Sequence, residues 1–152
     1  MTQWEKNLAQ LGLTLPPVVA PVAAYIPAIR TGSLVYTSGQ LPFVDGQLSA
    51  TGKVGAEVSL EQAKEAAKFC ALNAIAAVHD LVGLDAVVRI VKVVGFVASA
   101  PGFTDQPQVI NGASELLGAV FGDAGVHARS AVGVAELPRS TPVEVELIAE
   151  VR

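Results

Sequence analysis

Residues 59–98 read SLEQAKEAAKFCALNAIAAVHDLVGLDAVVRIVKVVGFVA, and the change of period inside them decides the fold. In the first part Ala63, Ala66, Ala67, Cys70, Ala74, Ala77, Val78 and Leu81 recur at helical spacing, which predicts one narrow, mostly alanine stripe. Ser59 followed three positions later by Gln62 is a capping box, and Gly83 stands where a helix stops. Small side chains on the stripe let the helix approach a sheet closely. Cys70 lies on it and reads as a small buried hydrophobe rather than a nucleophile. His79 falls off it and reads as a solvated position. After Gly83 the period changes. Val87-Val88-Arg89-Ile90-Val91-Lys92-Val93-Val94 is β-branched on both alternating faces, as expected of a strand over Ala86 to Ala98 covered on both sides. The helix covers one face; the other needs a second chain. Gly95 inside the strand predicts a bulge, ahead of a bend or a close approach.

Downstream, Asp105 and Pro107 open a second helix with the stripe Val109, Ala113, Leu116, Leu117 and Val120, ended by Gly122 to Gly125. Two strands follow, Val126 to Leu137 and Pro142 to Val151, joined by Pro138-Arg139-Ser140-Thr141. Upstream, Ala24 to Arg30 and Ser33 to Ser38 read as a hairpin turning at Thr31-Gly32. Leu41 to Gly55 reads as a turn-rich loop with one short strand near Gln47. Thr2 to Leu11 predicts a short helix, and Leu15 to Pro21 an extended proline-rich arm. The order ββ, helix, β, helix, ββ contains two strand–helix–strand crossovers in one mixed sheet. The expected fold class is therefore α+β, a two-layer sandwich with both helices on one face. A single domain over residues 1–152 is expected, with the helix and arm occupying 1–21.

Composition points the same way. Of 152 residues 51% are hydrophobic and only 16% charged, too little polar material to cover a monomer comfortably. Leu8 to Ile29 has no charged residue, but Pro16, Pro17, Pro21 and Pro27 break any spanning helix. Nor do Trp4, Glu5 and Lys6 resemble the start of a secretory signal. The apolar excess thus predicts a subunit of an obligate oligomer, with no membrane partner. A net charge of -4 and scattered Lys and Arg residues argue against nucleic acid. The lone Cys70 excludes an internal disulfide and suits a reducing, cytoplasmic setting. No metal-ligand spacing and no glycine-rich phosphate loop are present, so no metal site is expected.

Chemistry concentrates near the C-terminus. One side of the strand after residue 126 carries His127, Arg129, Ala131, Gly133 and Ala135. An arginine flanked by Ala and Gly has a recess to point into, and its planar fork of donors matches a carboxylate bidentately. A structural salt bridge from Arg129 across the sheet explains the same pattern equally well. The last strand alternates Glu144, Glu146, Ile148 and Glu150 against Val143, Val145, Leu147, Ala149 and Val151, and the acids read as the solvated face of an edge strand. Glu144, nearest the turn, would act on water as a general base if it reached a recess beside Arg129. Tyr25, Tyr36 and Ser38 offer hydroxyl groups on the hairpin.

Tyr25, Thr37-Ser38-Gly39-Gln40, Asn111, His127-Ala128-Arg129-Ser130, Val134-Ala135-Glu136-Leu137-Pro138 and Val143-Glu144-Val145-Glu146 together resemble the reactive-intermediate deaminase (Rid/YjgF) family, from about Pro21 to the C-terminus. The resemblance implies a chorismate-mutase-like fold and a homotrimer whose sheets form a barrel with ligand clefts between subunits. It implies hydrolysis of enamine/imine intermediates such as 2-aminoacrylate to 2-keto acids and ammonia, without metal or organic cofactor. Carried over, Arg129 would hold the substrate carboxylate and Glu144 would orient water. Tyr25 and Ser38 would line the cleft, Asn111 would donate hydrogen bonds and Gly39 would shape the wall. Ala131 stands where well-known members have a cysteine, His127 replaces a common proline, and the Leu-Thr-Leu-Pro-Pro arm is additional. A second reading is a non-catalytic regulator binding small carboxylates at the same clefts. A third, the endoribonuclease or translation-inhibitor label of some relatives, lacks support from any basic stripe or histidine pair.

Overall fold

The chain runs α1 (Gln3–Gln10), β1 (Ala28–Thr31), β2 (Leu34–Thr37), β3 (Phe43–Val44), β4 (Gln47–Leu48), α2 (Leu60–Val82), β5 (Val87–Ala98), α3 (Gln106–Phe121), β6 (Ala128–Val134) and β7 (Val143–Val151). The computed structural model describes residues 1–18 and 23–152. Five strands make one mixed sheet in the order β1-β2-β7-β5-β6, with β5 and β6 parallel and the other neighbours antiparallel. Both crossovers, β2–α2–β5 and β5–α3–β6, put their helix on the same face. The result is the expected two-layer α+β sandwich with both helices on one face.

The reciprocal Ser59–Gln62 cap starts α2, and its C-terminal N–H, from Gly83, reaches the His79 carbonyl. Its buried side is wider than one alanine stripe, since Ala71, Leu72, Ile75 and Ala76 are buried too, whereas Leu81 at the C-terminal end is exposed. The core between helices and sheet is built from Ile75, Ile90, Ile110, Leu117 and Leu147, each fully enclosed. A buried aliphatic side chain of this size contributes about 1.5–3 kcal/mol relative to exposure. The expected stripe of α3 is buried throughout, from Val109 to Val120. Asp105 precedes α3, but its side chain makes no cap bond because its backbone is not extended there (φ -92°, ψ 31°).

Three sequence expectations change. Gly95 is not a bulge: it pairs in regular register with Val145 and Ala131, and a Cβ there would run into Ile110 of α3. The register shifts of β5 lie earlier, between Val87 and Arg89 and between Ile90 and Lys92. They turn Val87, Ile90 and Val93 all toward the core despite their spacing of three. Second, β7 is the central strand, not an edge. Its alternation is real, with Val143 through Val151 buried on odd positions and the glutamates half-buried on even ones. Third, the hairpin turns at Gly32-Ser33, one residue later than expected, because Thr31 pairs with Leu34 and Gly32 takes φ +58°. The strand near Gln47 exists, but as half of a two-stranded β3–β4 ribbon about Asp45-Gly46. β1 starts later than expected, at Ala28, and runs one residue further, to Thr31, while β6 is shorter at both ends, Ala128 to Val134.

α1 is the predicted N-terminal helix, capped by Thr2 and Glu5. Leu8 enters the core, Trp4 meets Phe121 edge-on at 5.4 Å, and Asn7 donates to the Val120 carbonyl at 2.7 Å. Leu13 and Leu15 of the arm also pack on the core. Pro21, where the arm was expected to end, lies outside the described residues. Among the described residues no helix is long and apolar enough to cross a membrane.

Candidate functional site

The sheet has one face under the helices and one open. Residues paired across neighbouring strands share a face, so Arg129, paired with buried Val93, points to the helix side at the edge of the sheet. Glu144, paired with Phe96, points to the open side. The two lie on strands flanking β5 and three β5 residues apart, roughly 10 Å along the strand. One chain therefore does not bring Arg129 and Glu144 into a common recess, and the site residues divide into two half-sites.

The Arg129 half-site is built by β6 and α3. Asn111 and Ser114, three apart on α3, present their side chains on the same flank. Arg129 Nη1 donates to Asn111 Oδ1 at 2.8 Å and to Ser114 Oγ at 3.1 Å, and Nη2 donates to the Pro107 carbonyl at 3.2 Å. All three acceptors are neutral. The ion pairs among the described residues are Lys53–Glu136 and Lys64–Glu115, and neither involves Arg129. The cross-sheet salt bridge that sequence left open is therefore not formed. With three of a guanidinium's donors bound, Nε–H and one Nη2–H are left for a ligand. Ala131 follows on the same face, half-buried beside Gly95.

Sequence reasoning does not single out Ser114 and gives His127 no role. Ser114 Oγ lies 2.9 Å from His127 Nε2, and His127 Nδ1 lies 2.6 Å from the Gly125 carbonyl. That carbonyl only accepts, so Nδ1 donates and a neutral ring accepts at Nε2 from the Ser114 hydroxyl. The position of His127 on the Arg129 face was legible; a partner on α3 was not, since it depends on how the helix docks. His79 is exposed and accepts the Leu84 N–H at 3.2 Å, closing the end of α2.

The Glu144 half-site forms where β2 leaves the sheet. Thr37 Oγ1 accepts the Leu147 N–H at 3.0 Å, and Gln40 rejoins β7 through reciprocal backbone bonds with Val145. Ser38 and Gly39 arch between these anchors. Ser38 Oγ donates to the Ile26 carbonyl at 2.6 Å, tying the segment after Tyr25 to the arch. Tyr25 is 57% exposed at its rim. Gly39 is glycine for a visible reason: a Cβ there would strike the Glu144 carboxylate. Burial first, and then the neighbouring Glu146, raises the Glu144 carboxyl above its ordinary value of 4.5. No side chain among the described residues donates to it, so it is the uncompensated acid of the open face. Cys70 is fully buried and its thiol is pushed up by desolvation and then by Glu144, with Sγ against the Val143 carbonyl at 3.7 Å. It is an inert core group, as its place on the stripe predicts.

The described residues form a mixed sheet backed by two crossover helices, with an arginine at its edge that has no acidic partner and a glutamate on its open face that has no side-chain donor, in a chorismate-mutase-like architecture. Residues 5–151 match the family model described as "YjgF/chorismate_mutase-like, putative endoribonuclease". The chain is 43% identical over 146 residues to Protein TCP17 of Trypanosoma cruzi, covering 95% of this chain and 91% of that protein. It is 36% identical over 130 residues to the 2-iminobutanoate/2-iminopropanoate deaminase of Salmonella typhimurium, covering 86% and 89% respectively. A crystal structure of a protein of unknown function from Agrobacterium tumefaciens superposes with a TM-score of 0.92 at 45% identity, covering 99% of this chain and 93% of that one. The chain belongs to the Rid/YjgF family.

Proposed function

We propose that this protein hydrolyses small carboxylate-bearing enamines and imines, of the 2-aminoacrylate type, to the 2-keto acid and ammonia. The observation that carries the reading is the state of Arg129: a cation held by three neutral acceptors, with two donors free and, among the described residues, no acid in ion-pair contact. A ligand carboxylate supplies both the missing charge and the matching geometry. The deaminase relative acts, by its name, on 2-imino acids, which carry that carboxylate beside the C=N bond.

Because Arg129 and Glu144 face opposite sides of one sheet, the reading requires the cleft to be completed between two copies of the chain. Arg129, Asn111 and Ala131 would come from one copy, and Glu144, Gly39, Ser38 and Tyr25 from its neighbour. The open face supports such an assembly. Tyr36 and Val132 remain 40% and 44% exposed there, beside the half-buried Val94, Phe96 and Ile148. A homotrimer with the sheets forming a barrel covers that surface.

In the reaction, the enamine tautomerises to the imine and water adds to the imine carbon. Glu144, as carboxylate, takes one proton of that water and passes it to the imine nitrogen, giving the neutral carbinolamine. It then takes the carbinolamine's hydroxyl proton and delivers it to the amine, so the C–N bond breaks and ammonia leaves as the carbonyl forms. Pinning the carboxylate beside a positioned water lowers the barrier through proximity and orientation. The raised carboxyl of Glu144 brings its basicity closer to neutrality, which suits proton transfer in both directions.

The test couples purified protein to a pyridoxal-phosphate enzyme that releases 2-aminoacrylate and times imine decay. Acceleration over buffer that disappears in Arg129→Ala is expected; no acceleration, or full activity in that variant, overturns the reading. Saturable binding of 2-keto acids by calorimetry without any turnover would instead identify a carboxylate-binding regulator.

A further inference from the structure

We infer that Ser114 and His127 are positioning residues for Arg129, forming a relay that fixes the direction of its guanidinium; the inference rests on the proposed role of Arg129 in binding a carboxylate. The relay is a single file of hydrogen bonds. The Gly125 carbonyl accepts from His127 Nδ1 at 2.6 Å, which turns Nε2 toward α3 as an acceptor. Nε2 takes the Ser114 hydroxyl proton at 2.9 Å. With its hydrogen committed to His127, Ser114 Oγ presents its lone pairs to Arg129 Nη1 at 3.1 Å. A serine hydroxyl alone rotates freely and has no fixed donor direction. His127 removes that freedom and leaves oxygen, not hydrogen, facing the cation.

The geometry also separates this contact from the other two. Asn111 holds the same Nη1 from one turn earlier on α3, and the Pro107 carbonyl holds Nη2. Together the three contacts hold both terminal nitrogens and leave Nε–H and one Nη2–H as donors for a bidentate partner. Losing Ser114 leaves the charge and the Asn111 and Pro107 contacts in place but removes one of the two bonds at Nη1, so the fork is held less firmly. The expected cost therefore falls on affinity for the carboxylate, while the chemical step at Glu144 is spared.

Three measurements test it on the intact protein. Nitrogen NMR of the imidazoles should find His127 in wild type as the Nδ1–H tautomer when neutral; an Nε2–H tautomer overturns the relay whether or not any keto acid binds. Calorimetry with 2-oxobutanoate should show about tenfold weaker binding in Ser114→Ala and in His127→Ala, the effect of one charge-assisted hydrogen bond. The double variant should be no worse than either alone, because both act through one contact. Ser114→Thr and His127→Gln, which keep the hydroxyl and an acceptor, should recover most of that loss. In the coupled assay the single alanine variants should raise KM with kcat within about twofold. Additive losses, a fall in kcat at constant KM, or wild-type affinity in Ser114→Ala with an unchanged melting temperature would each overturn the proposal. Failure of wild type itself to bind 2-oxobutanoate, with the tautomer as expected, would count against the carboxylate role of Arg129 and leave the relay as its structural brace.

Discussion

Arg129 and Glu144 stand on the two strands that flank β5, and the chain treats them in opposite ways. The arginine lies at the sheet edge on the helix side, where α3 supplies three acceptors that fix it without neutralising it. The glutamate lies on the central strand of the open face, packed over the Gly39 arch with burial working against its charge. One half-site is braced by three hydrogen bonds to neutral acceptors and keeps two donors free. The other is held by packing alone and is biased toward taking up a proton. On the proposed reading the arginine half binds and the glutamate half does the chemistry, so perturbing either should spare the other.

The largest effect is expected from Arg129→Ala. It removes two charge-assisted bonds to a carboxylate, each worth about 1.5–3 kcal/mol, so binding of 2-keto acids should fall roughly 10²- to 10⁴-fold. Calorimetry checks this. The melting temperature should hardly change, because the groups left behind, Asn111 and Ser114, are only half-buried and water can replace the guanidinium.

How much of this was legible in the sequence follows the same division. The stripes of α2 and α3 and the alternation of β7 were readable because burial repeats with the local period, and that period is a property of the chain. Gly95 was misread because its reason is a neighbour distant in sequence, Ile110, and no local pattern announces a close approach. The three glutamates of β7 look solvated and so read as the face of an edge strand. They are half-covered only because β2 and β5 pair on either side of it. At the site, Arg129 and Glu144 stood out as charges among small and apolar residues. That they face opposite sides of the sheet depends on register against β5, and the Ser114–His127 contact depends on the docking of α3. Neither is written in either segment by itself.

Glu144→Gln probes the other half. As the general base it should lower kcat by about 10²- to 10⁴-fold while leaving the affinity for 2-keto acids near that of wild type. The sign of its pH effect is fixed by the raised carboxyl. In wild type the rate should rise with pH through a limb displaced above 4.5, and the limb should be missing in Glu144→Gln. Stability runs the other way: the native state binds this proton more tightly than the unfolded chain, so the contribution of Glu144 is present below pH 4.5 and is lost as pH rises through the raised native value. Melting curves of the two proteins should therefore converge at low pH, with the glutamine variant the more stable near neutrality. The opposite order would mean that a donor, absent from the described residues of one chain, compensates Glu144 in the assembly.

A smaller change tests whether packing alone holds the carboxylate. In Gly39→Ala the new Cβ meets the far end of a flexible side chain, so stability should fall by less than about 1 kcal/mol. The carboxylate must swing away, and a displacement of this kind should lower turnover about tenfold or more. Affinity for 2-keto acids, set by the Arg129 half, should stay unchanged; a parallel loss of affinity would join the two halves more tightly than the opposite faces of the sheet allow.

Ala131→Cys should have the smallest effect, and it bears on whether a thiol is needed at all. Ala131 lies two residues from Arg129 on the same face and beside Gly95, so a cysteine there adds one sulfur to the wall of the arginine half-site. The proposed reaction assigns the carboxylate to Arg129 and the proton to Glu144, with no bond formed to sulfur. Turnover and affinity should thus remain within about threefold of wild type, the range of a substitution that removes no named interaction. A large gain in kcat at constant affinity would show that the chain lacks a catalytic group and would favour the binding-only reading of the cleft. A loss confined to affinity would show that the sulfur merely crowds the fork.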